Sequence, residues 1–443
     1  MFLLKIIFVF LQVKKETKEK IRISFEMIYK ITAPKHIKTS IKLPASKSIS
    51  NRALVISALA GAKKMPDNLS NCDDTDVIVK ALRDNPYEID IKAAGTAMRF
   101  MTAYLSVTPG EHILTGTERM KHRPIKVLVD ALRYLGANIE YLGEEGFPPL
   151  KIKGKALKGG RVEIPGNVSS QYISALLMIG PVLKGGLELQ LTGDIISRPY
   201  IDLTLHTMHD YGAKVEWSDV KTIVAEPSGY RERQFLIEND WSAASYWYEM
   251  MAIMGDFMSE VKLSGLIDAS RQGDSGLRYL FSMLGVKTSF KDDIKTEPTE
   301  VTLKVMLSML PKLDFDFSGQ PDLTQTFAVT CAMMNMPFHF TGLSTLRIKE
   351  TDRIEAIEKE MRKLGYVVKD ANDSELIWDG ELCEPTMEPI DTYEDHRMAM
   401  AFAAAAIKFP GLMINNPEVV TKSYPDFWEH MKQAGFTIEE IDN

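Results

Sequence analysis

Cysteine is scarce in this chain of 443 residues: only Cys72, Cys331 and Cys383 occur. They form no CxxC pair and are too few for a disulfide framework, which points to a reducing, cytoplasmic setting and a fold held by its own core. Positive charge is in deficit too. Lys and Arg number 53 against 60 Asp and Glu, a net charge of −7. That balance argues against a nucleic-acid binder, which usually carries a basic bulk or stripe. Any anionic ligand must then be met by a local cluster of cations. No run is apolar for the roughly 20 residues that a membrane span requires. The nearest, Phe2 to Val13, is interrupted by Lys5, has no basic segment before it and no small-residue cleavage site after it. Residues 1–26 are read as an N-terminal extension outside the fold, with Met27 as the expected start. No Walker or dinucleotide-binding glycine motif occurs. His206 and His209 lie one turn apart without an evident third ligand, and the acids of "NCDDTD" read as helix caps, so no metal is expected.

Apolar residues make up 45% of the chain, enough for a large core. Two kinds of helix alternate along it. One kind is strongly apolar and opens on small polar residues: "NRALVISALAG", "AMRFMTAYLSV", "QYISALLMIGPVL", "SAASYWYEMMAIMG", "TQTFAVTCAMMNM" and "RMAMAFAAAAIKFPG". The other is amphipathic and ends at a glycine suited to a left-handed C-cap: Gly136, Gly212, Gly285, Gly365 or Gly435. A weaker sixth copy ends at Asn85-Pro86. β-Branched stretches such as "LELQLTGD" and "FHFTGL" follow the apolar helices. The period of roughly 70 residues predicts a duplicated α/β unit rather than a solenoid. Six units, three to a domain, predict two similar halves, with the boundary near Glu238-Asn239. Residues 46–238 are expected to form one domain, and 27–45 with 239–443 the other. The stretch before the first helix is expected to pair with strands of the last unit.

Cations recur where these helices start. Lys47 and Arg52 flank the first, and Arg99 sits in the second. Arg123 and Arg198 each precede a proline suited to the first helical position. Lys349 with Arg353, then Arg397, then Lys422 mark the last three. The helix dipole opposes positive charge at that end. A repeated disfavoured sign in an acidic chain predicts anion binding, because helix N-termini also offer free N–H groups to phosphate or carboxylate. Ser169, Ser170 and Gln171 add hydroxyl and amide donors, and Gly95 would admit close backbone approach.

Together, "LPASKSISNRAL", "AGTAMR", "LTGTERMKHRPI", "VSSQYISALL", "SRPYIDLTL", "LRIKETDRIEAI", "TYEDHRMAMAF" and "TKSYPDFW" resemble the enolpyruvyl transferases, and among them those that act on shikimate 3-phosphate. The match runs from about Leu43 to Trp428. It implies an inside-out α/β barrel: two domains, each of three βαβαββ-like units, around a substrate cleft. It implies transfer of the enolpyruvyl group of phosphoenolpyruvate to the 5-hydroxyl of shikimate 3-phosphate, releasing orthophosphate. The route is addition then elimination, without cofactor, by an expected monomer.

The resemblance places Lys47, Ser48, Arg52, Ser169, Ser170, Ser197, Asp322 and Lys349 on shikimate 3-phosphate. It places Lys47, Gly95, Arg123, Gln171, Arg353, Arg397 and Lys422 on phosphoenolpyruvate. Asp322 matches the general base and Glu350 the acid that protonates the methylene carbon; Lys47 and Lys422 would offset charge on the leaving phosphate. Asp322 can also be read as a helix N-cap, and His396 either as polarising the site or as following a cap at Asp395. Ala93, Phe100 and Thr345 depart from the family pattern, which has Asn, Pro and Asn there. Two other readings stand beside this one. One is the sister transferase acting on UDP-N-acetylglucosamine, which usually carries a Cys in the loop before "RP" where this chain has "GTERMKHRP". The other is a non-catalytic sugar-phosphate-binding module.

Overall fold

The computed structural model describes residues 27–308 and 310–442; the expectation for residues 1–26 lies outside them. Both kinds of helix form where the patterning places them. Ser170–Ile179, Trp241–Met254, Thr324–Met333 and His396–Ala403 are buried on nearly every side, as helices apolar all round must be. Asp73–Asp84, Lys126–Tyr134 and Arg353–Lys363 bury one face only. The glycines that end the amphipathic helices all take left-handed φ, from 80° at Gly212 to 97° at Gly435.

The sheets repeat one connection pattern. In the sheet of Gly160–Pro165, Leu187–Thr192, Val215–Trp217 and Thr222–Ala225, the first two strands are parallel. The fourth runs antiparallel beside the second, and the third forms the far edge. Three further sheets, begun by Glu88–Asp90, Lys38–Lys42 and Leu313–Asp316, are wired the same way. The fifth places Met27–Thr32 between Leu412–Asn415 and Thr437–Asp442, antiparallel to both. The opening stretch therefore pairs with the last unit, as expected, but only through its first strand. Lys38–Lys42 pairs instead with Glu260–Leu266 of the fourth unit.

The first unit departs from the predicted six equal copies. After Asp73–Asp84 the chain turns at Asn85, with φ of 42°, and runs straight into Glu88–Asp90. That strand pairs with Gly110–Thr115 and so belongs to the next unit. The first unit keeps only the Asp67–Leu236 bridge in place of a sheet.

Buried apolar side chains gather in two clusters. One runs from Ala45 to Ile237; the other joins Ile31–Leu43 to Trp241–Phe436. Helices fill the interior of each half and sheets clad it, an α/β architecture of two similar halves. The chain passes between them twice, side by side: Ala45 bridges Asn239, and the Ser46 N–H donates to the Glu238 carbonyl at 2.9 Å. The cleft between the halves is where the cation-bearing segments meet.

Candidate active site

The helix Lys47–Leu59 has no acid in its first turn. Its start is served from elsewhere. Ser46 caps it, and the Lys47 backbone N–H donates to Asp240 Oδ2 at 3.1 Å. Asp240 Oδ1 meanwhile caps Trp241–Met254 through the Ala243 N–H at 3.0 Å. One carboxylate thus joins two helix starts from opposite halves. The Lys47 ammonium lies 3.3 Å from Asp74. Burial pushes Lys47 down, but Asp74 together with Cys72 and Glu350 outweighs it, and the amine is held protonated.

The cleft is lined by Lys47, Ser48, Arg52, Arg123, Ser169, Ser170, Gln171, Ser197, Asp322, Lys349, Glu350, Arg353 and Arg397. Lys422 reaches in to Glu350 Oε1 at 3.0 Å. Gly95 lies under Arg123: a Cβ there would stand 2.6 Å from a guanidinium nitrogen. The structure therefore brings all the residues assigned to either substrate to one place; Arg198, also singled out from the sequence, does not line it and lies 3.9 Å from Asp202 on its own helix.

Their charges are arranged otherwise than expected. Beside any anionic ligand, the cations are already matched by carboxylates of the chain. Asp322 Oδ1 lies 2.9 Å from Arg353 and 3.3 Å from Lys349, and its Oδ2 lies 3.0 Å from Arg397. Glu350 takes Arg353 at 2.9 Å and Lys422 at 3.0 Å, with Arg123 at 3.9 Å. Burial works against both carboxylates, yet the surrounding cations overcome it. Arg397, Lys349 and Arg353 hold Asp322 well below the usual range, and Lys422, Arg353 and Arg123 do the same for Glu350. Glu350 with Arg353 apart, these pairings join segments far apart in the chain.

Three local expectations also change. Asp322 is not a helix cap; the helix Thr324–Met333 has no side-chain cap, and Asp322 stands in the turn Pro321–Leu323 with its oxygens turned to the cations. Lys422 does not open a helix; it closes the turn Pro417–Lys422, because Pro425 keeps the residue before it out of helical conformation until Phe427. Arg123 likewise sits in a loop, and the next helix starts only at Lys126, after Ile125 with a non-helical φ of −139°.

Two functional acids escaped the sequence reading. Asp74 looked like one of several helix caps. Asp395 does cap His396–Ala403 through the Arg397 N–H, but it also takes both Arg353 Nε at 2.7 Å and Nη2 at 3.3 Å. The available signal for each was an acid close to a cation-bearing helix start. Phe100, one of the departures from the family pattern, places its ring 5.4 Å from the Arg52 guanidinium carbon, a distance at which the π face attracts a cation. Thr345 lines the cleft with its hydroxyl unpartnered. His396 is buried among Lys47, Arg397 and Lys422. Burial first, then those charges, push it well below its ordinary value, so it is neutral; neither ring nitrogen has a hydrogen-bond partner.

His206 and His209 gain no third ligand: among the described residues no group of three or more His, Cys, Asp or Glu is placed to hold a metal. Nor is any described helix long and apolar enough to cross a membrane.

Comparison with known proteins bears on nearly the whole chain. The family model described as EPSP synthase (3-phosphoshikimate 1-carboxyvinyltransferase) matches residues 31–84 and 84–431. A 3-phosphoshikimate 1-carboxyvinyltransferase from Bacteroides fragilis is 56% identical over 414 residues, covering 93% of this chain and 99% of the relative. One from Sulfurovum sp. is 36% identical, over 89% and 96%. Among solved structures, EPSP synthase from Acinetobacter baumannii superposes with a TM-score of 0.70 at 21% identity, over 94% of this chain and all of that one. The enolpyruvyl transferase NikO from Streptomyces tendae gives 0.70 at 16%, over 94% and 99%. These two likenesses speak for the fold, and the sequence matches for more: the chain belongs to the EPSP synthase family.

Proposed function

We propose that this enzyme transfers the enolpyruvyl group of phosphoenolpyruvate to the 5-hydroxyl of shikimate 3-phosphate and releases orthophosphate, the sixth step of the shikimate pathway. The observation that carries the reading is the cation-ringed pair Asp322 and Glu350, joined through Arg353, in a cleft whose other wall offers Ser169, Ser170, Gln171 and Ser197. The reaction joins two anions, and only a site so rich in positive charge would hold both.

In this reading Arg52, Ser169, Ser170 and Ser197 receive shikimate 3-phosphate, with Ser48 and Lys349 beside it. Arg123, Gln171, Arg353, Arg397 and Lys422 receive phosphoenolpyruvate over Gly95, and Lys47 serves both. Asp322 takes the proton of the attacking hydroxyl, because an alcohol is a poor nucleophile until a base does so. Glu350 protonates the methylene carbon, which makes its neighbour electrophilic. Attack closes a tetrahedral intermediate. Removal of a proton from the methyl group so formed and departure of phosphate, its charge offset by Lys47 and Lys422, restore the double bond.

The pairing seen in the cleft adds a feature. Arg353, Arg397 and Lys422 hold both carboxylates ionised. Substrate phosphate and carboxylate compete for those cations and add negative charge beside them. Both effects raise the proton affinity of Asp322 and Glu350, so acid and base become competent as the substrates arrive. We place the moving parts at residues 46–238 and at 27–45 with 239–443, and take the working unit to be a cytoplasmic monomer without cofactor.

The deciding experiment is phosphate release with phosphoenolpyruvate and either shikimate 3-phosphate or UDP-N-acetylglucosamine. Turnover with shikimate 3-phosphate alone is expected; turnover with the UDP-sugar alone would overturn the assignment.

A further inference from the structure

At the Ser197 end of the cleft, a segment of the first half is seated on two turns of the second. The Ser197 N–H donates to the Ser318 carbonyl at 2.7 Å. The Tyr200 hydroxyl donates to Asp274 Oδ1 at 3.0 Å, and the Ser242 hydroxyl donates to Oδ2. Gly273 is what allows the approach: a Cβ there would lie 2.4 Å from the Pro199 Cβ. The Gln320 amide fixes that turn by donating to the Gly273 carbonyl at 2.7 Å.

Asp274 is 2% exposed. Its oxygens are served by two hydroxyls rather than by a directly paired cation. A buried carboxylate so served costs more than a neutral group of the same shape, so stability alone is a poor account of it. Its hydrogen-bonded contact with the site runs through Tyr200. That residue lines the cleft, and its carbonyl accepts from Arg52 Nη2 at 3.2 Å. The rest of Arg52 is fixed within the first half: Nε donates to Thr204 at 2.7 Å and Nη1 to the Ser48 carbonyl at 2.9 Å. Beside the Ser318 carbonyl on Ser197, Asp274 is therefore a group through which the second half reaches this end of the site.

We propose that Asp274 is a positioning residue. By holding Tyr200 across the seam it sets Ser197, Tyr200 and Arg52 in the arrangement that receives the phosphate of the sugar-derived substrate. That subsite is complete only when the two halves meet at Asp274. The proposal rests on the reading of the cleft given above.

The test compares Asp274→Asn, Tyr200→Phe and the double variant with the parent enzyme. Steady-state phosphate release is measured with each substrate varied in turn, and shikimate 3-phosphate binding is measured by calorimetry. The Asn amide keeps the shape but turns an N–H₂ toward one hydroxyl donor. KM and Kd for shikimate 3-phosphate should rise about tenfold, the loss of one buried hydrogen bond, while KM for phosphoenolpyruvate and kcat move less than about twofold. Tyr200→Phe should do the same, and the double variant should be no worse than either single one. Equal rises in both KM values, additive losses or unchanged binding would each overturn the proposal. Should Asp274→Asn unfold at the assay temperature, Tyr200→Phe decides by the same split, since it removes only a hydroxyl. A parent protein that binds shikimate 3-phosphate without turnover sinks the reaction assignment and leaves the tenfold affinity difference as the criterion; one that binds neither substrate sinks both.

Discussion

Arg353 and Asp395 form a buried pair, 1% and 0% exposed at their side chains, with Nε to Oδ2 at 2.7 Å. Asp395 Oδ1 also accepts the Arg397 backbone N–H at 2.9 Å. One carboxylate therefore aims two of the arginines assigned to phosphoenolpyruvate. Asp395→Ala leaves the Arg353 charge short of a partner in a dry place. A loss of about 3–5 kcal/mol is expected in urea unfolding, together with a KM for phosphoenolpyruvate raised more than that for shikimate 3-phosphate. Wild-type unfolding would show that the pair is not closed in solution.

Asp322→Ala removes the group assigned as base while leaving the serines that face it. kcat should drop by about 10²–10⁴ with both substrates still bound, as read by calorimetry beside phosphate release. Near-wild-type turnover would refute the role.

Gly95→Ala tests the close packing beneath Arg123. The added Cβ meets the far end of a flexible side chain at 2.6 Å, so the guanidinium moves rather than the helix. Gly95 opens the helix Gly95–Val107, where Ala is the better helix former. KM for phosphoenolpyruvate should rise several-fold with no loss of thermal stability. A fall in stability instead would mean that the backbone gives way first.

Glu238 sits where the chain passes between the halves. Burial pushes its carboxyl up to about 7, against the hydrogen bond that Ser270 donates at 2.9 Å. In the unfolded chain the value is about 4.3. Between those limits the folded protein holds a proton that the unfolded one lacks, so stability falls as pH rises through the window, by on the order of 3 kcal/mol in all. Glu238→Gln should be little changed near pH 4 and more stable than the parent near pH 8. Parallel stability–pH curves for the two proteins would contradict this.

Local chemistry made the helices legible. The glycines at the ends of the amphipathic helices announce their stops, and the Ser46 and Ser169 caps announce starts. The candidate site was legible too, because its cations recur near helix starts, although Arg123 and Lys422 stand in a loop and a turn before them. What could not be read was pairing between distant segments. Nothing near Lys47 says that Asp74 and Asp240 will meet it, and nothing in "QPDLTQT" says that Asp322 will face three cations rather than cap its helix. The first unit was overcounted for a similar reason. Glu88–Asp90 follows its second helix with an ordinary strand pattern, and only the partner strand Gly110–Thr115 shows which sheet it serves.

The place of Met27–Thr32 also governs the order in which the chain can be made. It pairs only with strands from the far end of the chain, register partner Asp442 facing Met27 itself. A ribosome builds from the N-terminus, and domains fold as units as they emerge. The cluster from Ala45 to Ile237 has all its strands once residue 237 is out. The half holding Met27–Thr32 and Thr437–Asp442 must keep its first strand waiting until the last is made. That half is the slow partner, and its unpaired edge is the one exposed to misassociation during synthesis.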